Sequence, residues 1–307
     1  MTPRSDDQHE QYELRAGSYR AAVVQRGGGL RALSVDGRPL VDGYGGGERP
    51  EGGRGQLLVP WPNRVDRGRY EFDGEQHQLD LTEPDRDCAI HGLVRSGAWR
   101  LVEHTDTALT LAYELREARG YPYPLDLRVD YALDADAGLT VRLTARNTGT
   151  TPAPYGNGAH PYLTVGTQTI DECQLVVPAA VGLRTDERGL PTGRAPVDGT
   201  ALDFRTARRI GATWIDDPFT DLVRDDAGRA HVVLRDPASG ASTSLWLDHT
   251  CRWVQVFTGD TLGAQVRQGL AVEPMTCPPN AFVTGADVVV LLPGEQHTTS
   301  WGITGSS

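Results

Sequence analysis

Two side chains in this sequence combine acid–base chemistry with a stiff backbone. His160 lies in Tyr-Gly-Asn-Gly-Ala-His-Pro-Tyr-Leu, residues 155–163, between a glycine-rich turn and an extended Pro-Tyr-Leu segment. Histidine has the ordinary pKa nearest neutrality, so it gives and takes a proton with little tuning. Glu273 ends the apolar run Leu270-Ala271-Val272 just before Pro274, which is expected to stop the ladder. A strand end is a rigid mount for a carboxylate. Alone, such a histidine is more often a hydrogen-bonded structural residue, and such a glutamate is as readily a solvated one. Together they could serve as general acid and general base.

Three other segments carry groups suited to a polar ligand. In Pro60-Trp61-Pro62-Asn63-Arg64-Val65, Asn63 and Arg64 offer directional donors for hydroxyl groups and Trp61 a flat apolar face, a set that suits a sugar. Ala89-Ile90-His91-Gly92-Leu93 adds a second histidine, followed by a glycine whose missing side chain would let a ligand approach. Trp214-Ile215-Asp216-Asp217-Pro218-Phe219 places two carboxylates in a turn-forming segment, able to accept hydrogen bonds from hydroxyls. Met singly, each reads more simply as a surface ion pair, a packed loop histidine and a solvated turn.

The composition removes several chemistries. All 30 basic residues are arginine, so no lysine can form a Schiff base, anchor pyridoxal phosphate or complete a P-loop. Cys88, Cys173, Cys251 and Cys277 are scattered without a Cys-x-x-Cys pair, which encodes neither a structural zinc site nor a redox dithiol; they read as buried free thiols. No metal or organic cofactor is expected. A net charge of −11 argues against a phosphate-binding face and hence against nucleic acid. The polar residues 1–11 lack an apolar signal core and read as a disordered tail, and no long apolar run occurs, so a cytoplasmic, non-membrane protein is expected.

Stepping outward from these groups, the chain that must hold them reads as nearly all β. Residues 12–24, 30–35, 70–81, 99–103, 109–115, 125–133 and 139–147 alternate apolar and polar positions or cluster β-branched residues. Asp36-Gly37, Asp73-Gly74, Asn147-Thr148-Gly149 and Asp226-Ala227-Gly228 supply turn signals suited to hairpins. With 36 glycines and 20 prolines, long amphipathic helices are missing. Residues 44–54 look like a mobile glycine-rich loop. A single large antiparallel β-sandwich over residues 12–307 fits best.

Taken in order, the motifs resemble a known family. They are Asn63-Arg64-Val65, Tyr70-Glu71-Phe72-Asp73-Gly74, Ile90-His91-Gly92, Gly120-Tyr121-Pro122, His160-Pro161-Tyr162-Leu163, Leu202-Asp203-Phe204-Arg205, Asp216 with Phe219, Gln255-Val256-Phe257-Thr258-Gly259 and Glu273-Pro274. Spread over nearly the whole chain, they are similar to the aldose 1-epimerase (galactose mutarotase-like) family. The resemblance implies a galactose mutarotase-like supersandwich, with His160 as general acid and Glu273 as general base. It implies that His91 helps hold the sugar ring oxygen, that Arg64, Asp216 and Gln255 bind sugar hydroxyls, and that Asn63 is a flanking polar contact. Pro161-Tyr162-Leu163 stands where the family usually has Thr-Tyr-Phe, and Asp217 stands where it usually has histidine. The proline form is similar to the bacterial branch and leaves the sugar open.

The reaction implied is exchange of the α and β anomers of a free aldohexose. One group removes the C1 hydroxyl proton, the other protonates the ring oxygen, the ring opens, C1 rotates and the ring closes on its other face. Facing charges are expected to hold His160 protonated and Glu273 ionised, giving a bell-shaped pH profile. Alternatives are a mutarotase for a phosphorylated or sulfonated sugar held by Arg64, Arg67 and Arg69, a non-catalytic carbohydrate-binding protein, and a glycosidase using Asp216 with Glu273. The oligomeric state is not readable from the sequence.

Overall fold

The computed structural model describes residues 10–48 and 50–306. The tail expected over residues 1–11 lies outside the described residues up to residue 9; Gln11 already opens the strand Gln11–Ala16.

Hairpins form where the turn residues demand them. Asp36 and Gly37 take φ of 49° and 78°, and Asp73 and Gly74 take 51° and 78°, the paired positive values of a type I′ turn. They join Leu30–Val35 to Arg38–Pro39 and Arg69–Phe72 to Glu75–Gln78. The segment expected over residues 70–81 is therefore a hairpin, and residues 12–24 likewise divide into Gln11–Ala16 and Tyr19–Val24. The other two turn signals make no hairpin. Asn147-Thr148-Gly149 leads the chain from Gly138–Asn147 to Ala153–Tyr155, which pairs with Val289–Leu291. Asp226-Ala227-Gly228 carries it from Asp216–Leu222 in one sheet to Ala230–Arg235 in another. A crossover needs the same tight-turn residues as a hairpin, so the local signal does not separate them.

Two large antiparallel sheets dominate. One has nine strands, with Leu125–Asp134, Gly138–Asn147, Gln296–Ser306 and Ser242–Leu247 in succession at its middle. The other has eight: Pro191–Pro196, Ala179–Thr185, Asp216–Leu222, Trp253–Phe257, Leu270–Met275, Gly158–Ala159 and Leu57–Leu58 run in order along it, and Tyr162–Leu163 pairs onto Leu270–Met275 off that path. Apolar residues of both sheets, among them Val129, Leu143, Leu245, Phe219, Val254 and Val272, merge into one buried cluster, and a four-stranded sheet from residues 11–39 adds Leu14, Val23 and Leu33 to it. Among the described residues the one α-helix is the single turn Ala281–Thr284, and no helix is long and apolar enough to cross a membrane.

Burial differs between the two sheets in a way that matters for chemistry. Leu125–Asp134 alternates buried with exposed or half-buried positions, with one face on the core. Leu270–Met275 is buried at every position. One of its faces meets the core and the other lies beneath loops, so a polar side chain on that second face is withdrawn from bulk water.

Candidate active site

Register brings the site together. Gln255 pairs directly opposite Glu273, and Pro218 opposite Gln255. Asp216 lies two residues from Pro218 and so shares its face. On the other side of Leu270–Met275, Gly158 pairs with Met275 and Tyr162 with Ala271; continuing that register inward sets His160 across from Glu273. Asp216, Gln255, Glu273 and His160 thus line one wall of a cavity of about 390 Å³, a size typical of small-molecule sites. Pro274 does not stop the ladder as expected. It lies within the strand opposite Val254, between Val272 and Thr276, whose amides bond to the carbonyls of Pro161 and Asn157. Its missing N–H falls on the side where the partner ladder is broken around His160.

The opposite wall is irregular. Asn63 and His91 both hold left-handed backbone, φ 53° and 61°, a conformation uncommon outside glycine and concentrated at functional sites. The Asn63 amide donates to His91 Nδ1 at 3.2 Å. In the neutral ring this leaves the proton on Nε2, so His91 offers a hydrogen-bond donor to the cavity. Arg64 reaches the cavity gripped by Glu83 through two bonds of 2.6 and 2.9 Å.

At the centre, His160 Nε2 lies 3.3 Å from Glu273 Oε1, with the side chains 6% and 3% exposed. Burial first, then the Arg95 and Arg54 charges, pushes the His160 imidazole down to about 3. Burial and the Asp216 charge push the Glu273 carboxyl well above the usual carboxylate range, against a smaller opposing pull from Arg64. Both shifts run against the expectation of an imidazolium facing a carboxylate: withdrawal from water disfavours each charged form and favours neutral histidine beside neutral carboxylic acid. The number of protons on the pair is unchanged. Burial, with the charges of His160, Arg95 and Arg64, also keeps His91 neutral.

Four buried polar atoms on these walls lack a protein partner: His160 Nδ1, Glu273 Oε2, Gln255 Oε1 and Gln56 Oε1. Buried polar groups are normally paired, so a cluster of unpaired ones suits a ligand rich in hydroxyls. Gln255 Nε2 donates to Asp216 Oδ1 at 2.8 Å, which orients both.

Each residue singled out in the sequence as a site candidate, His160, Glu273, Asn63, Arg64, His91, Asp216 and Gln255, lines this cavity. Several accompanying readings fail. Trp61 offers the cavity no face; it packs in the core against Tyr121 and Phe282. Gly92 is required for backbone packing, because a Cβ there would lie 2.0 Å from the Val59 carbonyl oxygen. Asp216 and Asp217 begin a strand, and only Asp216 lines the cavity. Arg67 pairs with Asp87 and Arg69 bonds Gln78, both outside the cavity lining. Arg54, at the end of the glycine-rich segment, has a side chain 1% exposed and bonded to Asp42. Glu83, Gln56 and Arg95 also line the cavity. No spacing in the sequence marks them, since each arrives from a loop or a short strand distant from its partner.

His91, His160 and Glu273 hold ligand-type atoms within 4.8 Å of one another. The His91 tautomer opposes metal binding there, because a metal-bound imidazole donates its other N–H outward, whereas Nδ1 of His91 receives one.

The family profile of aldose 1-epimerase matches residues 10–304. The protein YihR of Escherichia coli K12 is 40% identical over 292 residues, covering 95% of this chain and 92% of that one. Galactose mutarotase of Rattus norvegicus is 28% identical, covering 95% and 93%. Among solved structures, a GalM/aldose epimerase homologue from C. elegans superposes with a TM-score of 0.86 at 19% identity, covering 97% of this chain and 99% of that one. Fold, motif order and profile agree that the chain belongs to the aldose 1-epimerase family.

Proposed function

We propose that the chain is a mutarotase that exchanges the α and β anomers of a free aldohexose through His160 and Glu273. The observation that carries this reading is the buried 3.3 Å contact between imidazole and carboxyl. The anomeric hydroxyl and the ring oxygen hang from the same carbon, so two adjacent groups reach both at once. Sugar hydroxyls, with Arg64 and the His91 N–H, return polarity to the site and favour the tautomer with the proton on His160. Glu273 then takes the C1 hydroxyl proton while His160 delivers its own to the ring oxygen, and the C1–ring oxygen bond breaks to give the open aldehyde. Rotation about the C1–C2 bond and reversal of both transfers closes the ring on the opposite face and restores the pair. Each group contributes about 10²–10⁴-fold. Asp216, Gln255 and Asn63 serve as hydroxyl partners.

The three-arginine anion site considered for a phosphorylated or sulfonated sugar lacks support, because Arg67 and Arg69 stand away from the cavity and Arg64 is committed to Glu83. Arg95 favours a different version of that reading. It lines the cavity and bonds the Ile90 carbonyl, and no carboxylate pairs with it among the described residues, so it would suit an anionic substituent. A panel of glucose, galactose and their 6-phosphorylated and 6-sulfonated forms, followed by NMR exchange between anomers, tests the proposal. Acceleration of a free sugar supports it, preference for the charged forms transfers the role to Arg95, and acceleration of none leaves a sugar-binding protein.

A further inference from the structure

The His160 ring is held by groups that take no part in moving its proton. Tyr162 stacks on it with centroids 5.1 Å apart and planes 11° from parallel, and the guanidinium of Arg54 lies 4.4 Å from the centre of that same tyrosine ring. The Tyr162 hydroxyl donates to the Gly52 carbonyl at 2.8 Å. Gly53, at φ 77°, passes so close that a Cβ would meet His160 Cδ2 at 2.7 Å. The His160 amide donates to the Gln56 carbonyl and its own carbonyl accepts from Gly55. The segment from Gly52 to Gln56 therefore grips the imidazole on its backbone and along its ring.

Arg54 is the unusual member. It is 1% exposed, among the largest fully buried side chains, and bonds Asp42 Oδ2 through Nη2 and Nε at 2.9 and 3.2 Å and the Glu51 carbonyl at 3.2 Å. Withdrawing a guanidinium from water is costly even with a partner, here the 23% exposed Asp42, and apolar residues of similar volume often fill such a space as well or better. Stability alone gives little reason for a cation here. A charge that reaches a reacting imidazole through a stacked aromatic ring gives one.

We propose that Arg54, acting through Tyr162, is a positioning residue that fixes the plane of the His160 ring against Glu273. The ionisable groups facing His160 are Glu273, His91 at 5.3 Å between ring centroids, Tyr162, Arg54 and Arg95. The two arginines act in the same direction as burial, against the imidazolium. Neutral histidine beside protonated carboxylic acid keeps one proton on the pair down to acidic pH, and loss of the Arg54 charge narrows that range from the acid side.

This inference rests on the mutarotase reading, and the test separates the two. Wild-type chain, Arg54→Gln, Arg54→Lys and Tyr162→Leu, each checked for folding by thermal melting, are compared by NMR anomer exchange across pH and by the pH titration of the His160 ring signals. Tyr162→Leu is expected to lower kcat at least about tenfold with a much smaller change in KM. Arg54→Gln is expected to move the acid limb and the His160 titration upward by about half a pH unit or more. Arg54→Lys keeps the charge and is expected to leave the limb in place while recovering part of kcat. If Arg54→Gln does not fold, the Lys variant and Tyr162→Leu carry the test. Wild-type kcat in Tyr162→Leu, an unmoved titration in folded Arg54→Gln, or a displaced limb in Arg54→Lys overturns the proposal. A wild-type chain that exchanges no sugar defeats the mutarotase reading instead, while the ring titration still reports on Arg54.

Discussion

Two ionisable pairs lie on either side of Tyr162, and they are treated oppositely by the fold. Arg54 and Asp42 are tied by two hydrogen bonds, with a third from Arg54 to a backbone carbonyl. His160 and Glu273 touch at 3.3 Å, yet each has one polar atom, Nδ1 and Oε2, without a partner. The first pair is satisfied by its hydrogen bonds; burial disfavours charge on both members of the second, which is left incomplete. Pairing makes a buried charge tolerable, and incomplete pairing leaves groups available to a substrate. The contrast locates chemistry more sharply than burial does, because Arg54 is as fully withdrawn from water as His160 and Glu273.

Breaking the incomplete pair should abolish activity without harming the fold. Glu273→Gln removes the proton acceptor but keeps the shape, and is expected to lower kcat by about 10³-fold or more while calorimetry still detects sugar binding. Its folded-state pKa is raised, so its contribution to stability is greatest below the ordinary carboxyl range and falls as pH rises toward the raised value. Glu273→Gln should therefore melt higher than wild type above neutral pH, by about 0.5–2 kcal/mol of stability. His160→Gln is expected to lose about 10²–10⁴-fold in kcat.

Breaking the satisfied pair should cost stability. Asp42→Asn leaves the buried Arg54 guanidinium without its carboxylate and is expected to cost about 2–4 kcal/mol by urea denaturation. A smaller effect is expected at the site's edge. Gln255→Leu removes one hydroxyl partner and frees Asp216, raising KM by roughly 5–20-fold with kcat largely kept. The pH profile sharpens the same contrast. The His160 value is depressed, so its stabilising effect is present above the ordinary histidine range and lost as pH falls toward about 3. Activity should hold through mild acid and decline only near that value, with the alkaline limb set by the raised Glu273 carboxyl.

The same division governs what the sequence could reveal. Alternating strands and Asp-Gly turns made the all-β character legible, and residue type marked His160 and Glu273, although Glu273 lies within its strand and not at the end expected. Arg64 and His91 stood out as residue types, although the left-handed backbone that aims His91 could not be read from spacing. Tertiary partners were invisible: Glu83 meets Arg64 from 19 residues away, and Asp42 meets Arg54 across a loop that looked mobile. Trp61 misled because an aromatic beside prolines suits a sugar platform and a core plug equally well, and the choice rests on Phe282, far along the chain. The protonation state was misjudged for a related reason. Opposite charges are visible in a sequence, whereas the loss of water around them is a property of the folded cavity.

The central claim is that His160 and Glu273 hold one proton between them and use it to open a sugar ring. Exchange between the α and β anomers of glucose and galactose, measured by NMR at neutral pH with wild-type chain and with Glu273→Gln, tests it most directly. Rapid exchange with the wild type that falls to the buffer rate with Glu273→Gln is the predicted result. Exchange equally fast with both proteins would contradict it.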